Sequence, residues 1–299
     1  MDQSPPAAPR TIDRSATIVV LAHQAFGLER GTTLSIIARE YWEPAGHRLL
    51  VHRGLGPPPP ADLAILHVPL THLPDRYAEL PKHYPRALNG AVTDVSKRRI
   101  ATDLVKEDDA YDGAVMVKTD LNHGGTAEYC LRRAERGLPG RLLTAVERRL
   151  PPRWFGRLPG NRYVVFASKR AVPRWVWRSR GLVVQPFHTE RRGDLYALHQ
   201  WYFLGRRDCV STFLSRDPMV KLANVVERLP LHQEVPDAIR RRRAELKFDY
   251  GKFDYVISNG VPVLLDANNT PNEGLAERKN PRVLAICEAL AGGIADFLR

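Results

Sequence analysis

The sequence predicts an α/β (α+β) fold in two parts, a small strand–helix–strand layer over roughly the first 95 residues and a larger part behind it. Three observations lead there. ATIVVLAH and DLAILHVPL are apolar runs of the kind that form buried strands. Between them TTLSIIAREYWEPAGH spaces its apolar residues as a helix does. Far downstream, FDYVIS and VPVLLDA flank Asn259-Gly260, a dipeptide that tolerates positive φ and favours a hairpin.

Taken in order, residues 1–15 read as a disordered leader, because MDQSPPAAPR has no apolar signal core; this suits a cytoplasmic protein. The first helix has Thr32 or Thr33 as cap and Gly46 near its stop, and HRLLVHRG is the second strand. Pro57 to Pro60 form a stiff connector to DLAILHVPL, and RALNGAV is a fourth strand, closing a domain over 16–95. His23 stands at the carboxyl end of the first strand, where open α/β sheets bind ligands. His67, among apolar neighbours, reads as a core or turn residue. The second domain, 96–299, begins with GAVMVKTDLNHGGTAEY, a strand ending at Lys118 and a loop with Gly124-Gly125. A lysine leaving a strand beside flexible backbone can hold phosphate oxygens, although GxxxxGK[ST] is absent. TAEYCLRRAERG and RLLTAVERRL read as helices and PPRWFGRLPGN as an irregular insertion. GLVVQPFHTE is a strand breaking at Gln185-Pro186, DLYALHQWYFLG and RDCVSTFLS pair through Gly205, and SRDPMVKLAN places Lys221 in a loop. The arginine run of VPDAIRRRRAELK reads as the solvated face of a helix, and PRVLAICEALAGGIADFLR as a closing amphipathic helix with Pro281 in its first turn.

The hairpin carries the chemistry. Asp254 and Asp266 lie near the outer ends of its strands, and Asn268 shares a face with Asp266 if the strand continues. Two carboxylates and an amide oxygen are hard ligands suited to Mg²⁺ facing a nucleotide's phosphates. The same residues also fit a strand running into an Asx turn. Parity constrains the first reading. A two-residue Asn-Gly turn alone throws the carboxylates onto opposite faces, so a three-residue turn or a bulge is required, with Pro262 as its natural place.

A net charge of +12 favours anionic ligands, but no nucleic-acid motif or regular aromatic interleaving accompanies it. No apolar run approaches the ~20 residues of a membrane span. Cys130, Cys209 and Cys287 show no metal or redox spacing, which fits a reducing compartment. Trp154, Trp175, Trp177 and Trp201 read as core or partly buried.

In their order these features resemble the ATP-grasp superfamily, and the carboxyl-terminal block is similar to D-alanine–D-alanine ligases. That block stands here as Gly251-Lys252-Phe253-Asp254 and Leu264-Leu265-Asp266-Ala267-Asn268-Asn269-Thr270-Pro271. The resemblance implies an ATP-grasp fold behind a pre-ATP-grasp domain, with nucleotide held between 96–184 and 185–299. It implies that Asp254, Asp266 and Asn268 hold one or two Mg²⁺ ions on the β- and γ-phosphates. Lys97 and Lys118 would contact phosphates, Gly124 and Gly125 would belong to the loop over them, and Gln185 and Phe187 would meet adenine. Glu190 or Asp194 would bind ribose, Lys221 the γ-phosphate, and Lys252 would steady an acyl-phosphate. Aspartate for glutamate at Asp266, lysine for arginine at Lys252, and no glycine straight after Pro271 depart from the family pattern. The activity implied is an ADP-forming ligase joining a carboxylate to an amine or related nucleophile, its substrates small and anionic and its state a dimer. A kinase acting on a hydroxyl would share every nucleotide residue, and a non-catalytic nucleotide- or nucleic-acid-binding protein would use the basic surface instead.

Overall fold

The β-branched run at the start of the chain becomes β1 (Thr17–Ala22), a strand buried almost throughout. The computed structural model describes residues 15–132, 158 and 163–298; the expected leader, RLLTAVERRL and nearly all of PPRWFGRLPGN, with Trp154, lie outside the described residues. β1 pairs in parallel with β2 (Arg48–Arg53) on one side and β3 (Leu63–His67) on the other, and β3 pairs with the two-residue β4 (Ala87–Leu88). The order β2-β1-β3-β4 reverses direction between β1 and β3, leaving a crevice at their carboxyl ends. Between β1 and β2, Thr32 caps helix Thr33–Ile37 through the Ser35 amide, and a π turn (Ala38–Trp42) carries it to Gly46, whose φ is +90°. Helix Asp75–Glu79, which the sequence reading did not anticipate, bridges β3 and β4. His67 is buried, and with no charge partner burial pushes its pKa down to about 4.

The segment expected as one strand over 181–190 divides between two sheets. Its first part is β7 (Leu182–Pro186), which flanks β5 (Val115–Thr119) opposite β6 (Val164–Phe166) in a small antiparallel sheet. Past Pro186 the chain enters the large sheet as β8 (Glu190–Arg192), beside β9 (Leu195–Leu204). β10 (Arg207–Ser215) returns through Gly205 at φ +55°, and β11 (Val225–Arg228), β12 (Tyr250–Ser258) and β13 (Val261–Asn268) complete the order β11-β10-β9-β12-β13.

Alternation along the large sheet divides its two faces. Trp201, Phe203, Phe253 and Tyr255 pack on one side with Ile239 of helix Asp237–Glu245. Tyr202, Leu204 and Tyr250 point the other way, onto helix Pro281–Ala291, whose Val283, Ile286 and Leu290 also meet Ile18 and Leu34 of the first layer. Asn280 caps that helix and Pro281 fills its first turn. The arginine run corrects the expected solvated face. Arg240 pairs with Asp208 at 2.7 Å, Arg242 bonds the carbonyls of Arg99 and Ile100, and Arg243 lies 4.0 Å from the Phe203 ring centre while donating to three carbonyls. Arg240 and Arg241 are exposed as expected, whereas Arg242 and Arg243 are drawn inward. Arg242 and Arg243 thereby tie the helix to backbone carbonyls of the short helix Lys97–Ile100 and of the segments flanking β9 and β12.

Candidate active site

The hairpin reconciles its turn with its carboxylates by inserting one residue. Asn259 (φ +50°) and Gly260 (φ +79°) make a two-residue turn closed by the pair Ser258–Val261. Continued regularly, that register would set Asp254 against Leu265. A bulge at Leu265, between the pairs Tyr255–Leu264 and Asp254–Asp266, restores the opposition and turns Leu265 toward the nearby cleft. Pro262 is not the site of the bulge; it pairs with Ile257 on the edge strand, where a missing amide proton is tolerated.

Registers across β9, β12 and β13 then fix a grid on one face. Gln200, Asp254 and Asp266 form one row, and Tyr202, Lys252 and Asn268 the next. The Asp254 Oδ1 atom is buried without a hydrogen-bond partner, and the Lys252 ammonium lies 3.7 Å away, an ion pair too long for a hydrogen bond. Burial raises the Asp254 pKa, Lys252 opposes the shift and Asp266 adds to it. Burial acts against the Lys252 ammonium, but Asp254, Glu273 and Asp266 outweigh it and hold its pKa above the usual lysine value.

Two lysines reach this face from elsewhere. Ser96 caps the short helix Lys97–Ile100, which directs the buried Lys97 onto Asp266 in a close ion pair; Asn122 lies 3.5 Å from the same ammonium. Lys118, at the end of β5, bonds Gln185 Oε1 at 2.7 Å. Burial lowers its pKa to about 8, Lys97 adds to the fall, and Asp266, Asp103 and Asp254 act upward. The cleft between the small and large sheets is lined by Lys118, Asp254 and Asp266 together with Met116, Phe187, Leu198, Val256 and Leu265. An apolar lining that also carries an ammonium group and two carboxylates suits a base and its phosphates.

The donor set fits a divalent cation. Among the described residues Asp254 Oδ1 is buried with no hydrogen bond, and Asp266 stands directly opposite. Among the described residues no group of three His, Cys, Asp or Glu side chains could hold a metal, so phosphate oxygens would complete the shell. Asn268, the third expected ligand, shares the face, but its Oδ1 accepts from the Thr270 amide at 2.9 Å, so the Asx turn is present as well.

Other expected residues lie outside the cleft. Glu190 is buried under β12, with its oxygens accepting from His199 Nε2, the Ile257 amide and Arg192. Those bonds outweigh the burial that raises its pKa and bring it down to about 2, leaving no oxygen turned to a ribose. Asp194 is exposed in the turn before β9. Gly124 and Gly125, both at positive φ, lie in the turn Asn122–Gly125 and do not line the cleft. Lys221 is exposed on its rim, 5.7 Å from the Tyr163 ring centre, while Pro218, Met219 and Val220 beside it form the wall.

Three residues enter that the sequence reading did not name. Tyr163 lies between the Lys118 and Lys221 ammonium groups. Asp103 accepts from Gln185 Nε2 at 2.8 Å and closely pairs His188, whose ring lines the cleft. The bonds from His188 and Gln185 outweigh burial and lower the Asp103 pKa. Nothing local in ATDLVKEDD marks Asp103, because its partners are 82 and 85 residues away.

No protein-family model matches the sequence, and no curated protein does. Among solved structures the chain is similar to a RimK-domain ATP-grasp protein from Sphaerobacter thermophilus, with 14% identity, 93% of this chain and 99% of that chain covered, and a TM-score of 0.44. It is similar to the D-alanine–D-alanine ligase of Bacillus anthracis at 9% identity, 95% and 96% coverage and a TM-score of 0.42. It is also similar to the macrocyclase MdnC of Microcystis aeruginosa, bound with precursor peptide MdnA, at 9% identity, 94% and 99% coverage and a TM-score of 0.46. At such identities and scores the functional reading has to stand on the side chains. Among the described residues no helix is long and apolar enough to cross a membrane.

Proposed function

We propose that the chain is an ATP-grasp ligase, ATP- and Mg²⁺-dependent and ADP-forming, which activates a carboxylate as an acyl-phosphate and passes it to an amine or related nucleophile. One observation carries this reading: Lys118 lines the same cleft as the opposed Asp254 and Asp266, and Lys97, from a separate segment, pairs with Asp266. Met116, Phe187, Leu198, Val256 and Leu265 enclose the base, and Gln185 and Asp103 hold Lys118 and His188 beside it. Lys97 and Lys118 take the inner phosphates, and Lys221 closes over the outer one from the rim. Asp254 and Asp266, with Asn268 once its turn opens, hold one or two Mg²⁺ ions, which neutralise phosphate charge. Lys252, in the next row, steadies the transferring phosphoryl group and the acyl-phosphate that receives it. Phosphoryl transfer depends chiefly on alignment and charge neutralisation, so a site of ammonium groups and carboxylates is chemically sufficient. The parallel layer over 16–95 is the pre-ATP-grasp domain, and the partners are a small-molecule carboxylate and a nucleophile.

The test is ADP release by the full chain with ATP and Mg²⁺ across a panel of amino acids and dicarboxylates, with hydroxylamine to trap acyl-phosphate as hydroxamate. Carboxylate-dependent ADP release with hydroxamate is expected, together with Mg²⁺-strengthened binding of a non-hydrolysable ATP analogue that Asp266→Ala abolishes. Unchanged analogue binding and turnover in Asp266→Ala would overturn the reading. A stable phosphorylated hydroxyl product in place of hydroxamate would make the protein a kinase.

A further inference from the structure

The face that carries the metal ligands has a direction. Successive same-face residues of β12 stand ~7 Å apart. Val256 and Asp254 both line the cleft, Asp254 stands opposite Asp266, and Lys252 is the next residue on the same face. Base, phosphates and transfer point therefore follow one another along a single strand. What meets the far end is the loop after β13, where Pro271 is followed by Asn272 and Glu273 rather than by glycine.

Glu273 is held there with care. Its amide donates to the Gly31 carbonyl at 3.0 Å, and Asn272 bonds Glu29 at 2.9 Å, so the loop is pinned to the segment that follows β1. Gly31 packs so tightly there that a Cβ on it would lie 2.6 Å from the Gly274 backbone. The fully buried Tyr202 directs its hydroxyl at Glu273 Oε1, 3.0 Å away, and lies 3.1 Å from Gln200, the residue registered against Asp254. Lys252, opposite Tyr202 in the same row, is close enough to feel the Glu273 carboxylate. Glu273 itself is half-buried. Glu273 thus sets a carboxylate beside the row of Tyr202 and Lys252, next to the phosphoryl-transfer point, in a chain of net charge +12.

We propose that Glu273 receives the acceptor as a cationic primary ammonium and takes its proton, which fixes the nucleophile of the ligase reading above, on which this inference rests, as an amine. One N–H proton of the ammonium moves to the Glu273 carboxylate. The freed nitrogen lone pair attacks the acyl carbon, the C–N bond forms, and the C–O bond to phosphate breaks. The second nitrogen proton leaves with inorganic phosphate. Tyr202 is a positioning residue, holding one carboxylate oxygen so that the other faces the amine.

Hydroxylamine supplies the test, because it is largely neutral near pH 7 and needs no base. ADP release is measured for wild type, Glu273→Gln, Glu273→Asp and Tyr202→Phe with the carboxylate panel, using either hydroxylamine or amino acids as nucleophile. In Glu273→Gln, hydroxylamine-dependent turnover should persist while amine-dependent turnover falls ~10²–10⁴-fold, the range of a positioned proton acceptor. Glu273→Asp should recover part of the amine reaction, and Tyr202→Phe should lose less of it. Equal retention of both reactions in Glu273→Gln would overturn this assignment and leave the ligase reading intact. Equal loss of both, with ATP-analogue binding retained, would make Glu273 part of the phosphoryl-transfer half and also overturn it. Absence of ADP release by wild type with every carboxylate would overturn the ligase reading and, with it, this inference.

Discussion

Glu190 and Asp254 are both acidic side chains largely withdrawn from water on the same sheet, and they are opposites. Glu190 spends its oxygens on His199, the Ile257 amide and Arg192, and those bonds bring its pKa down to about 2. Among the described residues Asp254 has one buried oxygen with no hydrogen bond, only the Lys252 ammonium 3.7 Å away, and burial with Asp266 opposite raises its pKa against that pull. Burial penalises both, and only what faces each oxygen differs. A saturated carboxylate holds a fold together, whereas an unsatisfied one beside ammonium groups awaits a partner that the protein does not itself supply.

That contrast can be broken most sharply at Asp254. Asp254→Asn should lower ATP turnover by ~10²–10³, the cost of one transition-state electrostatic contact. Thermal stability should hold or rise near neutral pH, since a raised folded pKa means the charged form is disfavoured in the fold. A variant that unfolds in proportion to its lost activity would place Asp254 in the structural class with Glu190.

Glu190→Ala is the mirror experiment, expected to cost about 3 kcal/mol in urea unfolding because buried donors lose their acceptor. With its folded pKa depressed to about 2, Glu190 stabilises fully above the ordinary carboxylate range and loses that contribution as pH falls through about 2. Acid unfolding of Glu190→Gln should lack this part of the transition.

Lys118 sharpens the nucleotide side of the comparison. Its ammonium, lowered to about 8, should begin to lose its proton above that pH, so affinity for an ATP analogue should fall by up to ~tenfold per pH unit there. Lys118→Met should bind more weakly and show none of that dependence. The smallest effect belongs to Gly260→Ala. A Cβ there meets no neighbour within 4 Å, so the left-handed φ alone should cost about 1 kcal/mol, with turnover unchanged.

Much of this was legible in the sequence because it is local. Apolar runs gave the strands of the first layer, Asn259-Gly260 gave the turn, and parity alone demanded the extra residue that Leu265 supplies. The hairpin's acidic pair was legible for the same reason, since two strands joined by a short turn have few possible registers. What stayed hidden was set by distance along the chain. Whether Glu190 meets a ribose or a buried histidine depends on β8 settling beside β9, and periodicity in a three-residue strand cannot specify that. Asp103, Tyr163 and Glu273 act through partners far away in sequence, and a single chain carries no sign of such pairings. The arginine run misled in the same manner, because its charges are absorbed by carbonyls that only the folded sheet presents.

The three-stranded sheet has a hydrophobic centre of its own, built from Val105, Val115, Val117, Val172, Leu182 and Val184, and among the described residues no apolar cluster joins it to the other layers. Lys118 thus rides on one body, while Asp254 and Asp266 ride on another that helix Pro281–Ala291 has fused to the first layer. The two sides of the cleft are thus positioned by separate interiors, so a core substitution under β5 should shift Lys118 without moving the carboxylate pair.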